Sequence, residues 1–322
     1  MTLHPQARAV LDLVAAGGEL ERSDVNLSEI RTNFAMLVDL GAGPPEAVAE
    51  VRDFEVPAAN GPAVPVRVYR PAGAAANATE LPVVVFFHGG GWTIGGIDDY
   101  DPIARRIANA SGALVVSVGY RLAPENPHPA ALDDCWAVTA WVAEHAAEIG
   151  GDPSRFALMG DSAGGNIAAV LALSCARRGG PHPAIQVLVY PVTDCDFDTL
   201  SYHENGNGYL LDTALMRWFF DCYTRGGSNP GDPTISPLRD TDLRSGELHG
   251  IAPAFVLTAE YDPLRDEGEV YAAALGEAGV EVELTRYEGM IHAFFGLGAV
   301  FEAGNEALAD AGAALRRAFG TL

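Results

Sequence analysis

The chain of 322 residues contains no lysine, and all 20 of its basic residues are arginine. A Walker-type phosphate loop and a pyridoxal Schiff base both depend on a lysine amine, so neither chemistry is available to it. Cysteine is also scarce. Cys135, Cys175, Cys195 and Cys222 lie far apart, with no CxxC pair and no spacing that would suit zinc, and they read as reduced thiols. No apolar run approaches the ~20 residues that a spanning helix needs, and MTLHPQARAVLDLVAAGGEL lacks the apolar block of a signal peptide. The expectation is a cytoplasmic protein with no membrane partner. No repeat of the length that builds solenoids or propellers is visible.

Positive charge is outweighed as well. The formal net charge is −23, which would repel a phosphate backbone over most of the surface and sets nucleic acid aside as a partner. The residues are 48% hydrophobic, an undiminished share, so the acidic balance reads as compositional bias rather than salt adaptation. The run DCDFD at 194–198 invites a calcium loop. That pattern wants glycine at its sixth position and glutamate at its twelfth, where Thr199 and Asn205 stand, so no metal is expected. Neither glycine cluster spells GxGxxG, which removes the dinucleotide fingerprint.

What the chain does have is alternation. Short β-rich runs at 64–70, 83–87, 113–120, 155–160, 184–190, 252–260 and 280–287 are separated by helical patterns at about 98–110, 130–148, 163–178, 265–278 and 299–319. This rhythm predicts βαβ units and a mostly parallel sheet flanked by helices. Asp152-Pro153 marks a turn before the strand at 155–160, and AGAAANATE at 72–80 reads as a connector. Residues 1–45, which look helical, and 194–245, with a helix at about 212–224 behind an Asp212 N-cap, stand outside the rhythm. They are expected to pack together as a lid over the carboxyl edge of the sheet.

Four short stretches carry chemistry. GDSAG at 160–164 fits GxSxG between an apolar strand and a run of small residues, the context of a nucleophile elbow at Ser162. A serine hydroxyl needs a base, and in sheets of this kind the partners follow in the order serine, acid, histidine. Asp262 directly follows the strand APAFVLTAE, with Glu260 and Asp266 as rivals, and His292 is the one histidine beyond it. In HGGGW at 88–92, three consecutive glycines let backbone amides turn inward to hold an oxyanion. The donors expected are the amides of Gly90, Gly91 and Ala163, with His88 as an anchor of the loop.

HGGGW at 88–92, YRLAPE at 120–125, GDSAGGN at 160–166, DPLRDEG at 262–268 and the loop His292-Ala293-Phe294 resemble the bacterial hormone-sensitive-lipase-like esterases, carboxylesterases with the α/β-hydrolase fold. The likeness runs from about residue 50 to the end. It implies a triad of Ser162, Asp262 and His292, oxyanion amides at Gly90, Gly91 and Ala163, and no cofactor. It also implies a helical cap built from residues 1–45 and 194–245 on a catalytic domain of 46–193 and 246–322, and a preference for small or medium acyl esters. The substrate would be a small-molecule ester. An amidase, lactonase or deacetylase would use the same triad, and a binding protein of the same fold would keep the elbow without turning anything over. A homodimer joined through an edge strand or the C-terminal helix is compatible with this reading.

Overall fold

The computed structural model describes residues 2–16, 26–59, 61–74 and 79–321. Residues 17–25 of the N-terminal segment and 75–78 of the small-residue connector lie outside them. The chain opens with helices α1 (Pro5–Ala16) and α2 (Leu27–Ala42), then strands β1 (Glu50–Val56), β2 (Val64–Arg70) and β3 (Leu81–Phe87). Helix α3 (Asp101–Ser111) leads to β4 (Leu114–Val118), and α4 (Ala130–His145) to β5 (Gly151–Asp161). Next come α5 (Ala163–Arg178) and β6 (Gln186–Val189), followed by three helices, α6 (Leu200–Asn205), α7 (Thr213–Tyr223) and α8 (Thr241–Ser245). The chain closes with β7 (Ala254–Tyr261), α9 (Arg265–Glu277), β8 (Val282–Ile291) and α10 (Glu302–Phe319).

The strands form one sheet in the order β1-β2-β4-β3-β5-β6-β7-β8, with β1/β2 and β2/β4 antiparallel and every other pair parallel. This is the mostly parallel, helix-flanked sheet that the alternation predicts. Side chains on a strand point alternately to its two faces, and β3 shows why both must be covered. Val83, Val85 and Phe87 enter one core with Val138 of α4, Ile167 of α5 and Tyr271 of α9. Val84 and Phe86 enter the other with Ile103 and Ile107 of α3 and Ala311 and Leu315 of α10. These five side chains, Val83 to Phe87, are fully buried, so the run has no polar position at all.

Local chemistry fixes the ends of the elements. Gly112 closes α3 in the left-handed conformation, its N–H donating to the Ala108 carbonyl. Asp212 caps α7 as expected, its carboxylate accepting from Leu215 N at 2.7 Å. One expectation changes, and one strand is additional to those expected. The Asp152-Pro153 turn is an Asx-type bend inside an extended run: Asp152 accepts from Ser154 N at 2.9 Å while the chain is already in β5. Strand β1 escapes the sequence pattern because Glu50, Arg52, Asp53 and Glu55 are charged and the strand is exposed along most of its length, as an edge can be.

Strand β3 is followed by β4 on one side of it and paired with β5 on the other, so the connections leaving β3 and β5 diverge at their carboxyl ends. Such a switch point opens a crevice. Phe87 is in register with Gly160, which sets residues 88–91 directly beside residues 162 and 163.

Candidate active site

Ser162 stands between β5 and α5 with φ +54° and ψ −117°, a conformation that non-glycine residues rarely adopt. Close backbone approach maintains it. A Cβ on Gly160 would overlap the Gly164 carbonyl group, and one on Gly164 would overlap the Phe87 carbonyl oxygen. Ser162 N donates to Val189 O at 2.8 Å, and the first turn of α5 begins with Asn166 N donating to Ser162 O at 2.9 Å. The serine is therefore held at the end of the central strand by hydrogen bonds on both sides.

The three side chains predicted to act together are together. His292 Nε2 lies 3.0 Å from Ser162 Oγ, and His292 Nδ1 lies 2.6 Å from Asp262 Oδ2. An ionised carboxylate only accepts, so Nδ1 carries the proton toward Asp262 and Nε2 is left to accept from the serine hydroxyl. Asp262 is wholly buried, and its other oxygen accepts from Leu264 N at 2.9 Å. His292 follows the end of β8, precedes Ala293 in a left-handed conformation, and packs on the Tyr190 ring at 4.5 Å. Both rival acids are engaged elsewhere. Glu260 accepts from Gly289 N at 2.7 Å, and Asp266 accepts from Ser201 N at 2.7 Å and from Arg265 Nε at 2.9 Å.

In the glycine loop, every carbonyl from His88 to Thr93 is engaged. Tyr120 OH donates to His88 O at 2.8 Å, and His88 Nδ1 lies 2.7 Å from Gly89 O. Gly90 O accepts from Thr93 N and Ile94 N, Gly91 O from Thr93 Oγ1, Trp92 O from Ala123 N, and Thr93 O from Arg31 Nε at 3.0 Å. The Gly89 amide donates to Asp161 Oδ1 at 2.9 Å. The amides of Gly90, Gly91 and Ala163 donate to no protein acceptor among the described residues. Positive φ angles of +104° and +57° at Gly90 and Gly91 turn the loop, and a Cβ at either would overlap a neighbour, Ile94 O or the Phe219 ring.

His88 is the anchor the sequence suggests. It is buried, stacked 4.2 Å from the Tyr120 ring, and burial pushes its imidazole down to about 4, so it stays neutral. Three further supports escape the sequence pattern. Asp161 carries a buried carboxylate, which burial raises to about 6 against the opposing hydrogen bond from Tyr100. Arg31 of α2 reaches the loop and is held by a two-point ion pair with Glu125, at 2.7 and 2.8 Å. On α7, Phe219 lies against Gly91, and Tyr223 stacks on Trp92 at 4.4 Å. An acid placed in an apolar strand end beside the serine is the one available signal for Asp161; the other two supports come from segments with no motif.

Residues 84–296 match the model of a family described as alpha/beta hydrolase fold. The chain is 48% identical over 257 residues to carboxylesterase NlhH of Mycobacterium tuberculosis, covering 79% of this chain and 78% of that one. It is 36% identical to an ethyl acetate hydrolase of Pseudomonas putida over 320 residues, 96% of each chain. Among solved structures, an ester hydrolase from the Lake Arreo metagenome, in complex with a bipyridine phosphonate derivative, superposes with a TM-score of 0.93 at 39% identity, covering 99% of this chain and 100% of that one. Near-complete coverage, identities well above what fold alone would carry, and matching architecture place the chain in the hormone-sensitive-lipase-like carboxylesterases, ester hydrolases of the α/β-hydrolase fold.

Proposed function

We propose that the chain hydrolyses short to medium acyl esters of small molecules through an acyl-serine intermediate, with Ser162 as nucleophile, His292 as base and Asp262 as the acid that orients it. One observation carries this reading: an unbroken line of hydrogen bonds, 3.0 Å from Ser162 to His292 and 2.6 Å from His292 to Asp262, beside three backbone amides that donate to no protein group among the described residues. As Ser162 Oγ attacks the ester carbonyl, His292 Nε2 takes its proton, and the Asp262 carboxylate stabilises the imidazolium that forms. The oxyanion accepts from Gly90, Gly91 and Ala163, where loss of one such donor typically costs about 100- to 1000-fold in turnover. The imidazolium then protonates the departing alcohol. Water, deprotonated by the same nitrogen, releases the acid and restores the serine.

Residues 1–45 and 194–245 serve in this reading as the cap that lines the substrate pocket. Arg31 from the first and Phe219 from the second both touch the glycine loop, which supports the assignment. The relatives' names, a carboxylesterase and an ethyl acetate hydrolase, support small esters as substrates. The test is turnover of p-nitrophenyl acetate, butyrate and longer esters by the wild-type chain and Ser162→Ala. The variant is expected to fold normally and to retain only the small residual rate that binding and the oxyanion amides supply. Near-normal hydrolysis by that variant would exclude Ser162 as the nucleophile, and wild-type turnover that rises steadily with acyl length would exclude the short-chain preference.

A further inference from the structure

We propose that Asp161 is a positioning residue for ester hydrolysis: its carboxylate fixes the peptide at Gly89, so that the next two amides, of Gly90 and Gly91, present their N–H groups to the reacting carbonyl. The proposal rests on the ester-hydrolase reading above and assigns the residue just before the nucleophile to a different part of the reaction.

A loop of successive glycines has no conformational preference strong enough to hold itself, so something outside it must choose which amides face inward. Asp161 Oδ1 accepts from Gly89 N at 2.9 Å, and Oδ2 accepts from Tyr100 OH at 3.0 Å. With that amide turned to Asp161 and the carbonyls on either side taken by Tyr120 and His88, the two amides that follow are the ones left without a protein acceptor among the described residues. The site is built to admit the carboxylate. A Cβ on Gly89 would overlap Asp161 Oδ2, so the first glycine of the three makes room for the acid.

The acid is held where a carboxylate is costly. Asp161 is 7% exposed, and no arginine pairs with it among the described residues. The titratable groups around it are Tyr100 at the start of α3, His292 after β8, Tyr120 after β4, Tyr190 after β6 and His88 after β3. Tyr100 in turn packs against Phe34 of α2 with ring centroids 6.2 Å apart, so the anchor is itself braced by the N-terminal segment. A carboxyl with a folded value of about 6 and an ordinary value of 3.8 adds stability that is fully present below the lower value and lost as pH rises through the higher. The fold thus carries an ionised, destabilising group at neutral pH directly beside its proposed nucleophile.

The experiment compares Asp161→Ala, Asp161→Asn and Tyr100→Phe with the wild type and Ser162→Ala, reading kcat and KM on p-nitrophenyl butyrate and thermal unfolding at pH 8 and pH 4. Asn keeps an oxygen for Gly89 N and can donate to Tyr100 OH, whereas Ala keeps neither bond. Asp161→Ala is expected to lose about 100-fold in kcat with KM nearly unchanged, since the lost alignment matters only when the oxyanion forms. Asp161→Asn is expected to restore kcat to within about threefold, and Tyr100→Phe to lose less than Ala does. The Asn variant should also melt above the wild type at pH 8 and close to it at pH 4. A folded Asp161→Ala enzyme with wild-type kcat overturns the proposal. Should the Ala variant fail to fold, Asn decides: a loss of kcat in a folded Asn variant overturns the acceptor role, and retention upholds it. Full activity in Ser162→Ala would instead bring down the acyl-serine mechanism with Ser162 as nucleophile, whatever Asp161 does.

Discussion

The elbow at 160–164 and the glycine loop at 88–93 both depart from ordinary backbone geometry at the same rim of the sheet, yet they are held in place by opposite means. The elbow is held by main chain against main chain: Gly160, Gly164 and the Phe87 carbonyl of β3 are packed so closely that no side chain fits between them. The loop is held by borrowed groups, namely the Asp161 carboxylate, the Tyr120 hydroxyl, the Ala123 amide and the Arg31 guanidinium. Close backbone contact is local and all-or-none. Borrowed anchors are distributed, and each can be weakened separately.

The sharpest way to break this contrast is Gly164→Ala. Its Cβ would collide with main-chain atoms that cannot rotate away, so a loss of about 3 kcal/mol or more in stability is expected together with loss of activity, read by thermal unfolding and ester turnover. A well-folded, active variant would show that the elbow can relax. Gly91→Ala probes the loop. There the Cβ meets the Phe219 ring, the end of a movable side chain, and φ is +57°, which costs an alanine about 1–2 kcal/mol. The fold should survive while kcat/KM falls about 10- to 100-fold, and Phe219→Ala in the same chain should recover part of that loss by removing the clash. Recovery of nothing would mean that the strain lies in the backbone alone.

Arg31→Ala should have the smallest effect. Its side chain is 32% exposed and that of Glu125 51%, so the ion pair contributes under about 1 kcal/mol, and a fall of a few-fold in kcat/KM is expected. Part of that fall should appear in the wild type on moving from low to high salt, since partly exposed pairs are screened. Salt-independent turnover in the wild type together with unchanged turnover in the variant would remove Arg31 from the set of anchors.

The same contrast explains what could be read from the sequence. GDSAG compresses its geometry into five neighbouring residues, and the order serine, acid, histidine follows the ends of β5, β7 and β8, so the grouping of Ser162, Asp262 and His292 is legible in the order of residues alone. The strands from β3 to β7 are legible for a similar reason, since their apolar runs are buried between two layers of helices, while β2 and β8 show as alternating β-rich runs. Strand β1 is not, because an exposed edge can satisfy its hydrogen bonds to β2 with a charged sequence that has no apolar period. The anchors of the glycine loop are the least visible. Arg31 is 62 residues from the carbonyl it holds, and nothing in an arginine on a half-exposed helix says which distant carbonyl it will meet. YRLAPE stands out in the sequence only as a resemblance. Its physical work, with Tyr120, Ala123 and Glu125 all fastening the loop or its clamp, emerges only when β3 and β4 lie side by side.

The strand order also sets a timetable. Because β5, β6, β7 and β8 are laid down in the order in which they are translated, a chain growing on the ribosome exposes Ser162 130 residues before His292. Domains generally fold as units, so the single sheet that sets the hydroxyl beside its glycine loop is whole only once β8 and the imidazole after it have been made. In the mechanism proposed above, a chain that ends before β8 lacks the base, so the triad is complete only with the last strand.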